Sequence, residues 1–354
     1  MTRIDRYVAR HVVQGSLVCL LALVVLFSFI SFVDDLGNVG KGDYSVNLAL
    51  EYVALTTPRR AFELFPLATL IGALMGLGTL AATSELTVIR SAGVSVRRLC
   101  LAVMAGAGVL MLLAVVLGEL IAPGAERMAQ GMRSVAISDE LEVNTRFGFW
   151  IRDGNSFINI RRVSPGNRME NVSIYEFDAE RRLRVATHAA RATHDDGQWM
   201  LEDIVQSHVR IDGVTRSEIA TAAWKSLFEP DLVNVVSVRP ESLSVIGLRR
   251  YMAYLSKNNL DTDPFELALW HKFIYPLASG VMILLAVPMV LGRLKSAGLG
   301  QRILVGVLVG IGFHVLNQAS GHLGLVYGFS PMVSASAPTL LFAAAAAWML
   351  GRIR

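Results

Sequence analysis

The sequence predicts a polytopic α-helical membrane protein in which six transmembrane helices are split three and three by an inserted all-β domain. Three observations carry this. Of 354 residues, 53% are hydrophobic and 18% charged, too apolar a balance for a soluble chain of this size. Several stretches reach the roughly 20 apolar residues that a helix needs to cross about 30 Å of hydrocarbon. One long polar interval separates them into two groups and alternates in the manner of short strands.

The first span runs from about Val12 to Val33, the second from Ala61 to Ala82 and the third from Leu99 to Ala122. The fourth covers about Leu267 to Leu291, the fifth Ile303 to Leu323 and the sixth Pro331 to Leu350. Residues 1–122 thus form one membrane half, 123–266 the inserted domain and 267–354 the other half. Orientation follows from lysine and arginine, which accumulate on the cytoplasmic side. Arg3, Arg6, Arg10, Arg90, Arg97, Arg98, Arg293, Lys295, Arg302, Arg352 and Arg354 occupy one set of edges, against two acidic residues there, Asp5 and Glu85. Both termini are expected in the cytoplasm and the β domain outside the inner membrane. A cleaved signal peptide is disfavoured, because the first apolar run is long and no small-x-small site follows Val33.

In the polar interval, FGFWIRDGNSFINIRRV alternates at Phe147, Phe149 and Ile151, turns at Asp153-Gly154 and resumes at Phe157 or Ile158 with Ile160, which reads as a hairpin. NVSIYEFD, RLRVATHAARA and QWMLEDIVQSHV supply further strands, spaced as in a sandwich, jelly roll or curved sheet. Leu243 to Lys257, with Ile246, Tyr251, Tyr254 and Leu255, is expected as a helix that returns the chain to the bilayer.

Enzyme signatures are missing. Cys19 and Cys100 fall in or beside spans, away from any paired ligand. His188, His194, Asp195 and Asp196 lack zinc spacing and read as surface residues. There is no G-x-S-x-G, H-E-x-x-H or Rossmann glycine pattern, and no G-x-x-x-x-G-K-[ST] loop, so P-loop ATP hydrolysis would need a separate protein. A net charge of +4 is accounted for by the cytoplasmic edges and gives no reason to expect nucleic acid. Gly72, Gly76 and Gly78 suit close helix packing.

Polar residues within spans are better clues, because desolvating them is costly unless they face protein or water. His314, Asn317 and Gln318 share a helical face by spacing, and either line a cavity or bond between helices. His271 and Lys272, at the outer start of the fourth span, are explained by snorkelling, and Glu119 is expected at an interface. Asp34, Asp35, Lys41 and Asp43 at the exit of the first span form either a headgroup rim or solvated loop charges. The connection TSELTVIRSAGVSVRRLC predicts a short capped helix. Ser84 is its N-cap, Glu85 and Arg90 complement its dipole, Leu86 and Ile89 share a face, Gly93 ends it and Ser95 caps the next helix. Such a helix lies against the bilayer or plugs into a cytoplasmic partner.

The stretches DRYVARHVV, FVDDLGNVGKGDYS, FPLATLIGALMGLGTLAATSELTVIRSAGVS, GELIAPGAE, SIYEFD and LVYGFSP together resemble the LptF/LptG family of lipopolysaccharide-export permeases, its LptG side in particular, over essentially the whole chain. The resemblance implies a half-transporter with a periplasmic β-jelly-roll-like domain. It would pair with LptF on a dimer of the cytoplasmic ATPase LptB, which uses ATP and Mg while this chain binds no cofactor. Lipopolysaccharide would be taken from the inner membrane and passed to LptC and LptA. The resemblance also implies that residues 83–93 are the coupling helix, with Ser84, Glu85, Leu86, Ile89, Arg90 and Gly93 as its site and Glu85 meeting the ATPase.

The first and fifth spans would line the substrate cavity, with Ser31, Asp35, Lys41, Arg59, Arg60, His314, Asn317 and Gln318 as candidates. Relatives tend to carry several lysines at the first-span exit, where this chain has Ser31, Gly37 and Asn38 and keeps only Lys41 close. Phosphate recognition would then rest on Lys41, on Arg59 and Arg60, or on the partner; the two arginines equally suit membrane-edge anchoring. Two other classes remain: a secondary carrier, which should show broken helices with ionisable midplane residues, and a membrane-anchored receptor or assembly scaffold.

Overall fold

The computed structural model describes residues 3–137, 149–153, 155–164, 168–178, 180–195, 198–210, 213–224, 240–258, 260–292 and 297–353. Phe147, Gly154, Asp196, Arg293, Lys295 and Arg354, named above, lie outside them, and for His194 and Asp195 only the backbone is described. Among the described residues, six helices are long and apolar enough to cross a membrane. The start of the first span lies beside the connection after the second, with Tyr7 at Glu85 and Asp5 at Arg98.

Helix α1 spans Arg3–Asp35, α2 Val46–Ala82, the short α3 Glu85–Ser91 and α4 Val96–Val115. A π-helical segment, Val116–Ile121, joins α4 to α5, Ala122–Ile137. After the β domain come α6 (Val245–Lys257), α7 (Asp263–Leu291), α8 (Leu299–Tyr327) and α9 (Pro331–Gly351). Helix α2 is the centre of the bundle and packs on α1, α5, α7 and α8. Its core contacts are Phe65, Leu70, Leu74 and Leu77, all nearly inaccessible, together with Val103 of α4 and Met282 and Ile283 of α7.

Two boundaries differ from expectation. The second span was expected from Ala61, but α2 begins at Val46, with the Ser45 hydroxyl accepting from the Leu48 amide at 3.4 Å. At about 1.5 Å per residue its 37 residues reach roughly 55 Å, so its first turns stand beyond the hydrocarbon. Pro58, Arg59 and Arg60 interrupt hydropathy there without interrupting the helix. The inserted domain was expected from residue 123, but the helix continues through Pro123 to Ile137. Proline is tolerated because the π register spaces bonds five residues apart. Pro123 has no N–H to give the Gly118 carbonyl, and Lys272 Nζ donates to that carbonyl at 2.7 Å instead. Lys272 therefore turns into the protein rather than snorkelling outward.

The β domain is a six-stranded antiparallel meander in the order β1 (Phe149–Asp153), β2 (Ser156–Ser164), β3 (Arg168–Phe177), β4 (Leu183–Asp195), β5 (Gln198–Arg210) and β6 (Gly213–Trp224). Ile160, Val172, Ala189, Ile204 and Ile219 pair in succession across five strands, a single apolar row from alternation of period two. The expected hairpin is present, with Asp153 opposite Ser156. Tyr254 of α6 packs against this apolar face. The Glu119 carboxylate, at the π segment, accepts from the first amide of α6, that of Val245, at 2.8 Å. One side chain thus joins the end of the third span to the start of the return helix.

Candidate functional site

The chain leaves α2 by a corner at Ser84, whose φ of 61° and ψ of 5° are left-handed, unusual for a residue with a Cβ. Ser84 occupies the N-cap position, but its side chain makes no cap bond. The first turn is fixed through Glu85 instead: Tyr7 of α1 donates its hydroxyl to Oε2 at 2.8 Å and Thr83 donates to Oε1 at 2.9 Å. These two donors, Tyr7 foremost, hold the Glu85 carboxyl below its ordinary range. The helix ends as expected. Gly93 adopts φ +87° and its amide bonds the Arg90 carbonyl at 3.0 Å, while the Val94 amide reaches Ile89 at 3.4 Å, a Schellman arrangement. Ser95 then caps α4 by accepting from the Arg98 amide.

Leu86 and Ile89 share a face, as their spacing requires, but that face turns inward. Leu86 is buried in the bundle core and Ile89 packs against it. The opposite face carries exposed Thr87, Val88 and Ser91. An apolar pair beside the open ends of α2 and α7 is drawn inward, Leu86 fully and Ile89 in part. Arg90 and Ser91 line a cleft of about 280 Å³ that Leu86, Val290 and Leu291 also border.

Away from this corner, the substrate candidates separate into three groups. Asp35 is buried and accepts from Asn38 at 3.0 Å, from Arg133 at 3.0 Å and from the Tyr44 hydroxyl. It closes the turn after α1 onto α5 and does not stand on an open rim. Burial, with the Asp35 bond, raises the Tyr44 phenol above its usual range. Lys41 is exposed, donates to Asn38 Oδ1 at 2.7 Å and leaves its ammonium otherwise open to solvent; Ser31 is half-buried.

Arg59 pairs with Glu63 at 2.9 Å and with buried Glu126 of α5 at 3.3 Å. Arg60 is half-buried, and its Nη1 is enclosed without a bond. In the fifth span, His314 and Gln318 point outward, whereas Asn317 is buried and donates to the Tyr275 hydroxyl at 3.3 Å. The three do not act as one surface, because Asn317 lies on the flank of the stripe nearest α7.

Several of these contacts carry no local sequence signal. Tyr7 and Glu85 are 78 positions apart. Glu126 falls in a segment read as the start of the β domain. Arg302, counted as an edge charge, is buried and donates to the Gly78 carbonyl, closing α8 onto α2. Among the described residues no group of three His, Cys, Asp or Glu could hold a metal ion.

Comparison with known proteins agrees with this architecture. The family described as lipopolysaccharide export system permease LptF/LptG matches residues 6–352. The lipopolysaccharide export system permease protein LptG of Haemophilus influenzae is 35% identical over 353 residues, covering 99% of both chains. LptG of Escherichia coli strain K12 is 36% identical, over 99% of this chain and 98% of its own. LptF of the same strain is 36% identical over 92 residues, 26% of this chain and 25% of that one. On this full-length match, six spans and an inserted β-jelly-roll-like domain, the chain belongs to the LptF/LptG family of lipopolysaccharide export permeases, close to its LptG members.

Proposed function

We propose that this chain is the LptG-type half of an ATP-driven transporter that extracts lipopolysaccharide from the inner membrane and passes it into a periplasmic bridge. It pairs with LptF, sits on an LptB dimer that consumes ATP and Mg, and delivers its load to LptC and thence LptA. Its termini and α3 lie in the cytoplasm. The observation that carries the reading is α3 itself: a capped helix rooted in the bundle by Leu86, with Val88 and the Glu85 carboxylate at its accessible end. A scaffold needs no such projection.

The first and fifth spans suit a cavity shared with the partner. Only 17% of the apolar window of α1 and 22% of that of α8 is buried within this chain, against 72% for α2. Lys41 at the exit of α1 is the cation best placed for a lipid phosphate; Arg59 is committed to two carboxylates and contributes only if they release it. Ser31, His314 and Gln318 border the exposed helices, while Asp35 and Asn317 support them from behind.

The test is co-purification. The full chain expressed with its partners is expected to retain LptB and lipopolysaccharide in one complex, and a photo-crosslinker at Lys41 or Gln318 to capture lipopolysaccharide. A complex without ATPase removes the coupling role, and no adduct at either position removes the proposed rim.

A further inference from the structure

We infer that Tyr7 is a positioning residue that ties α3 to the first span, making α1 a lever moved by the coupling helix; the inference rests on α3 being the ATPase dock. The tie is a single bond between distant elements, the Tyr7 hydroxyl to Glu85 Oε2 at 2.8 Å. Tyr7 is itself oriented. Its ring meets that of His11, one turn further along, edge-on at 4.4 Å, and His11 Nδ1 lies 3.0 Å from the Tyr7 carbonyl. A second link runs parallel to the first, with Asp5 and Arg98 3.4 Å apart, joining the start of α1 to the start of α4. The loop that leaves α2 and the loop that enters α4 are therefore both held to the first two turns of α1.

What lies beyond those turns makes the tie consequential. At Gly15 and Gly72 the backbones of α1 and α2 approach so closely that neither position has room for a Cβ, and Gly76 is closed in the same way by the His11 carbonyl. Past this seam the helix loses cover: Leu21, Val25, Phe29 and Val33 are exposed. A helix pinned at Gly15 has an inner arm of about 12 Å to Tyr7 and an outer arm of about 30 Å to Asp35, at 1.5 Å per residue. A shift of about 1 Å imposed at Tyr7 thus becomes about 2.5 Å at the exit of the span, where Asp35, held by Arg133 and Tyr44, passes it to α5 and to the start of α2. The Glu85 carboxylate has capacity for this and for docking, since two of its lone pairs take Tyr7 and Thr83 and the others remain available.

Tyr7→Phe removes the donor and keeps the ring on His11. In the assembled transporter, with Cys19 and Cys100 replaced by alanine, spin labels at Val33 and Leu120 report the outer end of α1 against the π-helical segment that follows α4. With wild-type Tyr7, a non-hydrolysable ATP analogue is expected to move the distance by 2–3 Å or more, of the order the lever implies. Tyr7→Phe is expected to lose most of that shift and several-fold of the lipopolysaccharide released per ATP, with the KM for ATP unchanged. Thr83→Val removes the other donor to Glu85, which is local to the loop, and is expected to keep the shift. A full shift in Tyr7→Phe overturns the tie, as does an equal loss in Thr83→Val, which would place the effect in the docking of Glu85. No shift in the parent protein overturns both the lever and the coupling role beneath it.

Discussion

Gly72→Ala puts the α1–α2 seam to a quantitative test. A Cβ there would lie 2.6 Å from the Gly15 carbonyl carbon and closer still to the Ser16 backbone, where ordinary contact begins at 3.4 Å. The neighbours are main chain, so no side chain can swing aside and α1 must withdraw by about 0.8 Å or more, the difference of those two distances. A gap of that size forfeits a quarter to a half of each dispersion contact along the seam, and forced overpacking of this kind costs about 1–3 kcal/mol. Helix propensity works the other way by up to about 1 kcal/mol, so a net loss of about 1–2 kcal/mol is expected. Gly108→Ala in α4 is the control, because nothing lies within 4 Å of its Cβ position. Thermal unfolding in detergent, followed by a thiol-reactive dye at the buried Cys19 and half-buried Cys100, reads both. Gly72→Ala should melt several degrees below the parent and Gly108→Ala at or above it. Equal melting of the two variants would refute the claim that this seam admits no side chain.

Three further outcomes follow from the same contacts. Arg302→Ala removes a charged donor from the Gly78 carbonyl and should cost about 1.5–3 kcal/mol; Gly78→Ala displaces the same guanidinium, so the double variant should cost less than the sum of the singles in a thermal-melt cycle. Glu126→Gln should destabilise by about 1–3 kcal/mol and Glu63→Gln by under about 1 kcal/mol, because Glu126 is 2% exposed and Glu63 39% while both pair with Arg59. Because the folded-state value of Glu85 is depressed, its contribution is complete above the ordinary carboxylate range and is lost as pH falls through the depressed value. Limited proteolysis within residues 83–93 should therefore begin only at acid pH, and Tyr7→Phe should move that onset upward.

The spans were legible because membrane crossing demands a long apolar run, and each of the six runs lies within a helix. Their ends were less so. Hydropathy fails at Pro58-Arg59-Arg60 although the helical bonds of α2 persist, and α5 was hidden by Pro123 and by an amphipathic composition that looks like domain rather than span. In the loop, Gly93 and Ser95 were readable, because a left-handed C′ and a hydroxyl cap are local requirements. Spacing showed that Leu86 and Ile89 share a face but not which way that face turns. The same limit separated Asn317 from His314 and Gln318. Contacts that join remote segments, Tyr7 with Glu85, Arg302 with Gly78 and Glu126 with Arg59, leave no periodic trace and emerge only once the helices are packed.

The central claim is that α3 delivers the work of ATP to lipopolysaccharide through Glu85. Proteoliposomes holding the complete complex, with either the parent chain or Glu85→Ala, measure it directly as ATP-driven release of lipopolysaccharide to a periplasmic acceptor. The account predicts that Glu85→Ala loses about ten-fold or more of the release, through weaker assembly with LptB or fewer molecules moved per ATP. Release at the parent rate from a normally assembled Glu85→Ala complex would contradict it.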